Sequence, residues 1–326
     1  MMKKTGYPPE FAGAVEAASS TGGQIMPPIM GAAAFIMAEM TGYEYSDIIV
    51  RAILPAFLYF LGIFLGVHFK AKKLGLVGLK REELPKWKLL LPKIYLLLPL
   101  IILTWMVIAG QTMAKSAIYG TIVAIVVGII NKDDRMTPTK FVNGLENGGK
   151  NCLSIGIACG IAGIISVCIT MTGLGGKLIT YVVKLSNGHL FIALFLTMIC
   201  CIILGMGVPT TANYIIMAST CAPILINGMG MHILAANMFV FYFGIVADIT
   251  PPVALAAYAG AAIAKAPPMK TALNATRLAI AAFIIPYIFA YNNAMIFVGD
   301  VTFFGVASIV CLLYTSPSPR DGLLSR

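Results

Sequence analysis

Asp248 is the residue with the most chemistry to offer: a carboxylate inside the long apolar run His232 to Ala264, followed directly by Ile249-Thr-Pro-Pro252. An ionisable group in such a run marks an ion path, a proton carrier or a helix cap. Tandem prolines remove two backbone N–H donors and clash with the preceding turn, so a helix has to break there. The carbonyl oxygens released need protein, water or an ion as partner. With the hydroxyl of Thr250 they make a hard, oxygen-only donor set suited to Na⁺ or to no metal at all. The residues alone leave three roles open for Asp248: Na⁺ ligand, proton carrier or structural cap.

The same signature occurs once more. Gln24-Ile-Met-Pro-Pro-Ile-Met-Gly-Ala-Ala33 aligns with Asp248-Ile-Thr-Pro-Pro-Val-Ala-Leu-Ala-Ala257 at a constant offset of 224, with one Ile, both Pro and both Ala identical. Gly22 and Gly23 flank the first break, Asp248 and Thr250 the second, and both breaks are candidate cation sites. The plainer alternative is a pair of proline kinks that serve packing alone. A third interruption, Gly205-Met-Gly-Val-Pro-Thr-Thr-Ala-Asn213, sits between two apolar runs. Gly205, Gly207 and Pro209 set a turn, while Thr210, Thr211 and Asn213 supply neutral donors and acceptors for a carboxylate or hydroxylated solute. These hydroxyls can also satisfy carbonyls one turn back.

Nothing else competes as a chemical centre. His68, His189 and His232 stand at the ends of apolar runs and form no triad; Glu39 reads as interfacial. The seven cysteines lie inside apolar stretches without metal-ligand spacing and read as small packing residues. No nucleotide loop, nucleophile elbow or zinc motif occurs, so an enzyme is not expected.

The elements that must position these residues are membrane helices. Of 326 residues 59% are hydrophobic and 11% charged, with a mean hydropathy of +0.89. Such a surface could not be kept solvated. Apolar runs recur from Ile48 to Tyr314, enough for about eight or nine spans of roughly 20 residues. Their continuity argues against a β-barrel. The net charge of +10 does not point to nucleic acid, because most basic residues flank apolar runs. Eight of the 23 Lys and Arg lie between Lys70 and Lys93, which puts that loop in the cytoplasm.

From that loop the crossings can be counted. The span of about Asp47 to Phe69 runs inward, Leu89 to Ala109 outward and Met113 to Ile130 back. The basic loop Asn131 to Asn151 is then cytoplasmic again, as its own charges require. Cys152 to Thr172 runs outward, Gly173 to Gly188 reads as a short interfacial helix, and His189 to Ile226 as a re-entrant hairpin entered from outside. His232 to Ala264 is then a single inward crossing broken at its centre, and Thr271 to Tyr291 and Met295 to Tyr314 complete the count. The first copy of the repeat, about Pro8 to Met40, runs outward and the second inward. Antiparallel copies of this kind are the inverted-repeat arrangement of secondary transporters.

These residues resemble a known family. The run Met2 to Glu39, with Ser19-Ser-Thr-Gly-Gly-Gln-Ile-Met-Pro-Pro28, the run Phe239 to Gly260, and the hairpin sequence Gly205 to Asn213 are similar to the large membrane subunit of tripartite ATP-independent periplasmic (TRAP) transporters. More narrowly, they resemble the fused permeases that work with TAXI-type binding proteins. The resemblance implies an all-α polytopic protein of the inverted-repeat elevator type in the bacterial inner membrane. It implies import of a small organic anion delivered by a periplasmic TAXI-type solute-binding protein, with a small membrane subunit or its fused equivalent as partner. Na⁺ would be the coupling ion and no other cofactor would be needed. Carried over by position, Ser19, Gly23, Gln24 and Pro27 belong to the first broken helix and its ion site, Gly207, Thr210 and Thr211 to the hairpin tip, and Asp248, Ile249, Thr250 and Pro251 to the second broken helix. Thr211 and Asn213 would face the substrate. Ile29 departs from relatives with Ser after the first proline pair, so their ligand scheme need not transfer.

The expected organisation is a first-repeat broken helix (1–45), scaffold spans with cytoplasmic loops (46–150), a span and interfacial segment (151–187), the second-repeat hairpin and broken helix (188–270), C-terminal spans (271–313) and a tail (314–326). An offset of 224 places the partner of the hairpin tip before residue 1, so the chain reads as an N-terminally truncated piece of a permease. The polar tail resembles a translated sequencing adapter. The competing class is a membrane scaffold that does not transport, whose broken helices serve packing.

Overall fold

The computed structural model describes residues 2–28, 30–76, 91–131 and 135–298. Ile29, the basic residues Lys80, Arg81, Lys86, Lys88 and Lys132, most of the run from Met295 to Tyr314, and the tail 314–326 lie outside the described residues. Those described form helices and connecting turns, with no strand among them. This is an all-α polytopic membrane protein.

Helix α1 (Pro9–Gly23) starts on a proline whose fixed φ suits a first helical turn, with Glu10 beside the positive end of the helix dipole. After an interruption, α2 (Ala32–Thr41) ends on Gly42 in the left-handed conformation, φ 75°. Helix α3 (Tyr45–Lys73) is long enough to cross a bilayer and ends on Lys70, Lys72 and Lys73, cations at the negative end of its dipole.

A 3₁₀ turn (Leu91–Leu97), α4 (Leu98–Ile108) and α5 (Met113–Ile130) form a packed hairpin. Leu100, Ile101, Trp105 and Ile108 of α4 and Ile118, Ile122 and Ile129 of α5 are exposed. Helix α6 (Pro138–Met171) departs from expectation: the basic segment read as a loop to Asn151 is helical from Pro138 and continuous with the apolar span. Thirty-four residues reach about 51 Å at 1.5 Å per residue, longer than a hydrocarbon core of about 30 Å. Its polar first part gains intrahelical hydrogen bonds without burying charge.

Next come α7 (Leu174–Ser186), α8 (Leu190–Gly205), α9 (Thr210–Thr220), α10 (Ala222–Met229) and α11 (Ile233–Val246). A 3₁₀ turn (Ala247–Ile249) leads through a second interruption to α12 (Leu255–Ala264), then α13 (Pro268–Leu278) and α14 (Ile280–Tyr291). The expected span Thr271 to Tyr291 lies within one apolar helical run, Pro268–Tyr291, long enough to cross a membrane, with a single irregular residue, Ala279, between α13 and α14. The run from Met295 begins as part of a 3₁₀ turn, Asn293–Ile296.

Helix α11 is the centre of the molecule. Every residue from Leu234 to Val246 is buried, as a helix apolar all round requires. It packs against α2, α8, α9 and α14. Phe239 and Phe243 meet each other and the ring of Tyr287 on α14 at centroid distances of 4.8 to 6.0 Å. Two polar bridges tie it to α9: Tyr214 donates its hydroxyl to Asn237 Oδ1 (2.8 Å), and Asn213 Nδ2 donates to the Gly244 carbonyl (3.1 Å).

Candidate functional site

Both proline pairs interrupt their helices. The first break spans residues 24–31 between α1 and α2, the second residues 250–254 between the 3₁₀ turn and α12. The peptide bonds Pro27–Pro28 and Pro251–Pro252 are both cis. In the first break the Gly31 N–H donates to the Gln24 carbonyl (2.9 Å), closing the loop on itself. In the second the chain re-enters α12 through Ala254, a buried residue with φ 34°.

The two broken helices cross in opposite directions. Helix α1 packs against α12, α13 and the turn 247–249, while α2 packs against α9 and α11. At one end Lys3 Nζ donates to the Ala264 carbonyl (2.7 Å), joining the start of the first copy to the end of the second. At the other, Tyr43 Oη lies 3.3 Å from His232 Nε2, joining the end of the first copy to the start of the second. Glycines make the crossing close: a Cβ on Gly13 would stand 2.8 Å from the Gly260 carbonyl oxygen, and one on Gly260 would stand 2.7 Å from that of Gly13.

On the first copy, Ser19 is half-buried on α1, Gly23 is exposed with open space beside it, and Pro27 is half-buried. Gln24 Oε1 is buried and has no hydrogen-bond partner among the described residues. Its neighbour Gly22 differs from Gly23: a Cβ there would fall 2.3 Å from the ring of Tyr59, whose hydroxyl donates to the Ala18 carbonyl (2.8 Å). At the position equivalent to Gln24, Asp248 is half-buried, and among the described residues nothing hydrogen-bonds or pairs with its carboxylate. Thr250 donates back to the Val246 carbonyl (2.7 Å). Ile249 is buried and its carbonyl lies 3.0 Å from the hydroxyl of Thr276 on α13, which shares its proton with the Ala272 carbonyl at the same distance; Pro251 is half-buried.

The hairpin between α8 and α9 turns at residues 206–209, shorter than the turn expected from Gly205 to Asn213. Thr210, Thr211 and Asn213 belong to the first turn of α9, because Pro209 caps that helix and its carbonyl accepts the Asn213 N–H (2.9 Å). Gly207 is exposed with φ 77°, and a Cβ on it would lie 3.8 Å from Val253 Cγ1, so the tip leans on the second break. Thr210 and Thr211 are half-buried at the start of α9, where backbone N–H groups lack intrahelical partners. Asn213 is fully buried between Gly205 and Gly244; its amide holds the Gly244 carbonyl and its Oδ1 has no partner among the described residues.

The arrangement brings Asp248, Thr250, Pro251 and Gly207 to one end of the hairpin and packs the helices of the first break against them. Thr276, Tyr45 and Tyr258, which hydrogen-bond carbonyls in or beside the breaks, and Tyr59, which bonds the Ala18 carbonyl within α1, are not marked by any motif in the sequence. Their only signal is a polar group in an apolar helix. Chemically, the unpartnered oxygens of Gln24 and Asp248 and the carbonyls of the interruptions are hard donors for a small cation. The free N–H groups of α9 suit an anion. Among the described residues no group of three or more His, Cys, Asp or Glu is placed to hold a metal ion.

A family model described as Tripartite ATP-independent periplasmic transporter, DctM component, matches residues 1–303. Compared with curated proteins, the chain has no match.

Proposed function

Because the chain belongs to the DctM-component family of tripartite ATP-independent periplasmic transporters, we propose that it is the permease of a Na⁺-coupled, binding-protein-dependent importer of a small organic anion. A periplasmic solute-binding protein of the TAXI type delivers the solute to the outer face of the inner membrane, and a small membrane subunit or fused equivalent completes the assembly. The antiparallel broken helices, with the hairpin tip against the second break, are the observation that carries this reading.

Na⁺ is held at the two breaks. Ser19, Gly23, Gln24 and Pro27 form the first site; Gly207, Thr210, Asp248, Ile249, Thr250 and Pro251 form the second. The Ile249 contribution comes through a carbonyl already holding Thr276, so it uses the remaining lone pair. Thr211 meets the carboxylate of the solute at the start of α9, with Asn213 behind it. Helices carrying the breaks and hairpin then slide as one body against α3 to α5, the elevator mode of the resemblance. Na⁺ binding offsets the cost of moving the Asp248 charge through the membrane.

The test is uptake by the assembled transporter, with its binding protein, in proteoliposomes. Na⁺-dependent accumulation that is lost in Asp248→Asn or Gly23→Leu, with folded protein retained, is the expected result. Unchanged uptake in both variants would remove the site assignment, uptake indifferent to Na⁺ would remove the coupling, and no uptake by the unmodified assembly would favour a scaffold.

A further inference from the structure

Pro28 and Pro252 occupy equivalent places in the two breaks, and each second-proline carbonyl has a tyrosine hydroxyl bound to it. Tyr45 Oη donates to the Pro28 carbonyl (3.1 Å), and Tyr258 Oη donates to the Pro252 carbonyl. The two donors are not related by the repeat. Tyr45 opens α3, 17 residues beyond its proline, while Tyr258 lies on α12, 6 residues beyond its own. Under the offset of 224, Tyr45 corresponds to Met269 and Tyr258 to Ala34, neither of which carries a donor. Two different elements thus deliver the same group to the same carbonyl. By contrast, among the described residues no hydrogen bond reaches the carbonyl of Pro27 or Pro251.

We propose that Tyr45 and Tyr258 are positioning residues for the coupling ion, each tying the second-proline carbonyl of its break to a helix outside the loop. The inference rests on the reading of the breaks as Na⁺ sites. A peptide unit is planar, so fixing that carbonyl fixes the plane that leaves the proline pair. The preceding carbonyl and the side-chain oxygen at the head of the break, Gln24 in one and Asp248 in the other, then keep one arrangement while the ion is absent. Without the hydroxyl the loop must be ordered by the ion itself, and that ordering is taken out of its affinity.

The experiment measures solute uptake against Na⁺ concentration in the assembled transporter, comparing the unmodified chain with Tyr45→Phe, Tyr258→Phe and Tyr214→Phe. Each change removes one oxygen and keeps the ring. In Tyr45→Phe and Tyr258→Phe the half-saturating Na⁺ concentration rises about five-fold, the effect of one hydrogen bond on an equilibrium constant. Their maximal rate and solute KM at saturating Na⁺ stay unchanged. Tyr214→Phe loses a buried hydrogen bond to Asn237, neither residue being part of a break, and keeps the unmodified Na⁺ dependence. A half-saturation within about two-fold of the unmodified chain in either tyrosine variant, less than one hydrogen bond is worth, overturns the inference. So does a loss confined to maximal rate, or an equal shift in Tyr214→Phe. If the unmodified transporter ignores Na⁺, it is instead the ion reading that fails.

Discussion

Two adjacent glycines show how finely the first break is divided between structure and function. Gly22 faces the ring of Tyr59 at a distance no Cβ can share, whereas Gly23 faces open space. Gly22→Ala is therefore expected to destabilise the protein by about 1–3 kcal/mol, as overpacking does. Gly23→Leu should leave the thermal midpoint of the purified protein unchanged, which makes it the informative variant for transport. Asn213 makes a similar point on the hairpin. Its amide is the partner of the Gly244 carbonyl, so Asn213→Ala leaves that buried acceptor unpaired, at a cost of about 1–3 kcal/mol. A lowered thermal midpoint checks it; an unchanged one would mean the bond does not hold α9 to α11. The sequence made Asn213 legible as a polar group near a turn, but its burial depends on Gly205 and Gly244, which only folding brings to either side of it.

Among the elements, the proline pairs made both broken helices readable, because a missing N–H donor acts locally and needs no tertiary context. The hairpin was readable for the same reason, though its turn is shorter than its glycines suggested: Pro209 starts a helix as readily as it ends one. Helix α6 was half read, since charge marks the cytoplasmic side without saying whether the charged segment is coiled or helical. The crossing of α1 and α12 was not readable at all. Gly13 and Gly260 belong to no shared motif, yet each lies against the backbone of the other. Gly260→Leu, and equally Gly13→Leu, should force these helices apart and cost at least about 1–3 kcal/mol. The check is a lower thermal midpoint together with loss of folded protein after detergent extraction. A Leu tolerated at either position would contradict the close approach.

For the molecule as a whole, the antiparallel crossing puts Glu44 and Lys265, both exposed, at opposite ends of the paired broken helices. In a background free of native cysteines, Glu44→Cys is expected to react with a membrane-impermeant maleimide added outside intact cells, and Lys265→Cys only after the membrane is opened. Labelling of both from the same side would overturn the inverted orientation. The sequence by itself determined that this is a many-helix membrane protein, where its helices break, and that the two broken copies face opposite ways. These follow from hydropathy, backbone chemistry and flanking charge, each of which acts within a few residues or through the membrane's own asymmetry. Only the tertiary structure decided which carbonyls in or beside the breaks are already taken by Tyr45, Tyr258 and Thr276, and that the oxygens of Gln24 and Asp248 have no partner among the described residues. Hydrogen-bond partners supplied by separate helices depend on how those helices pack, and no local pattern in the chain encodes that.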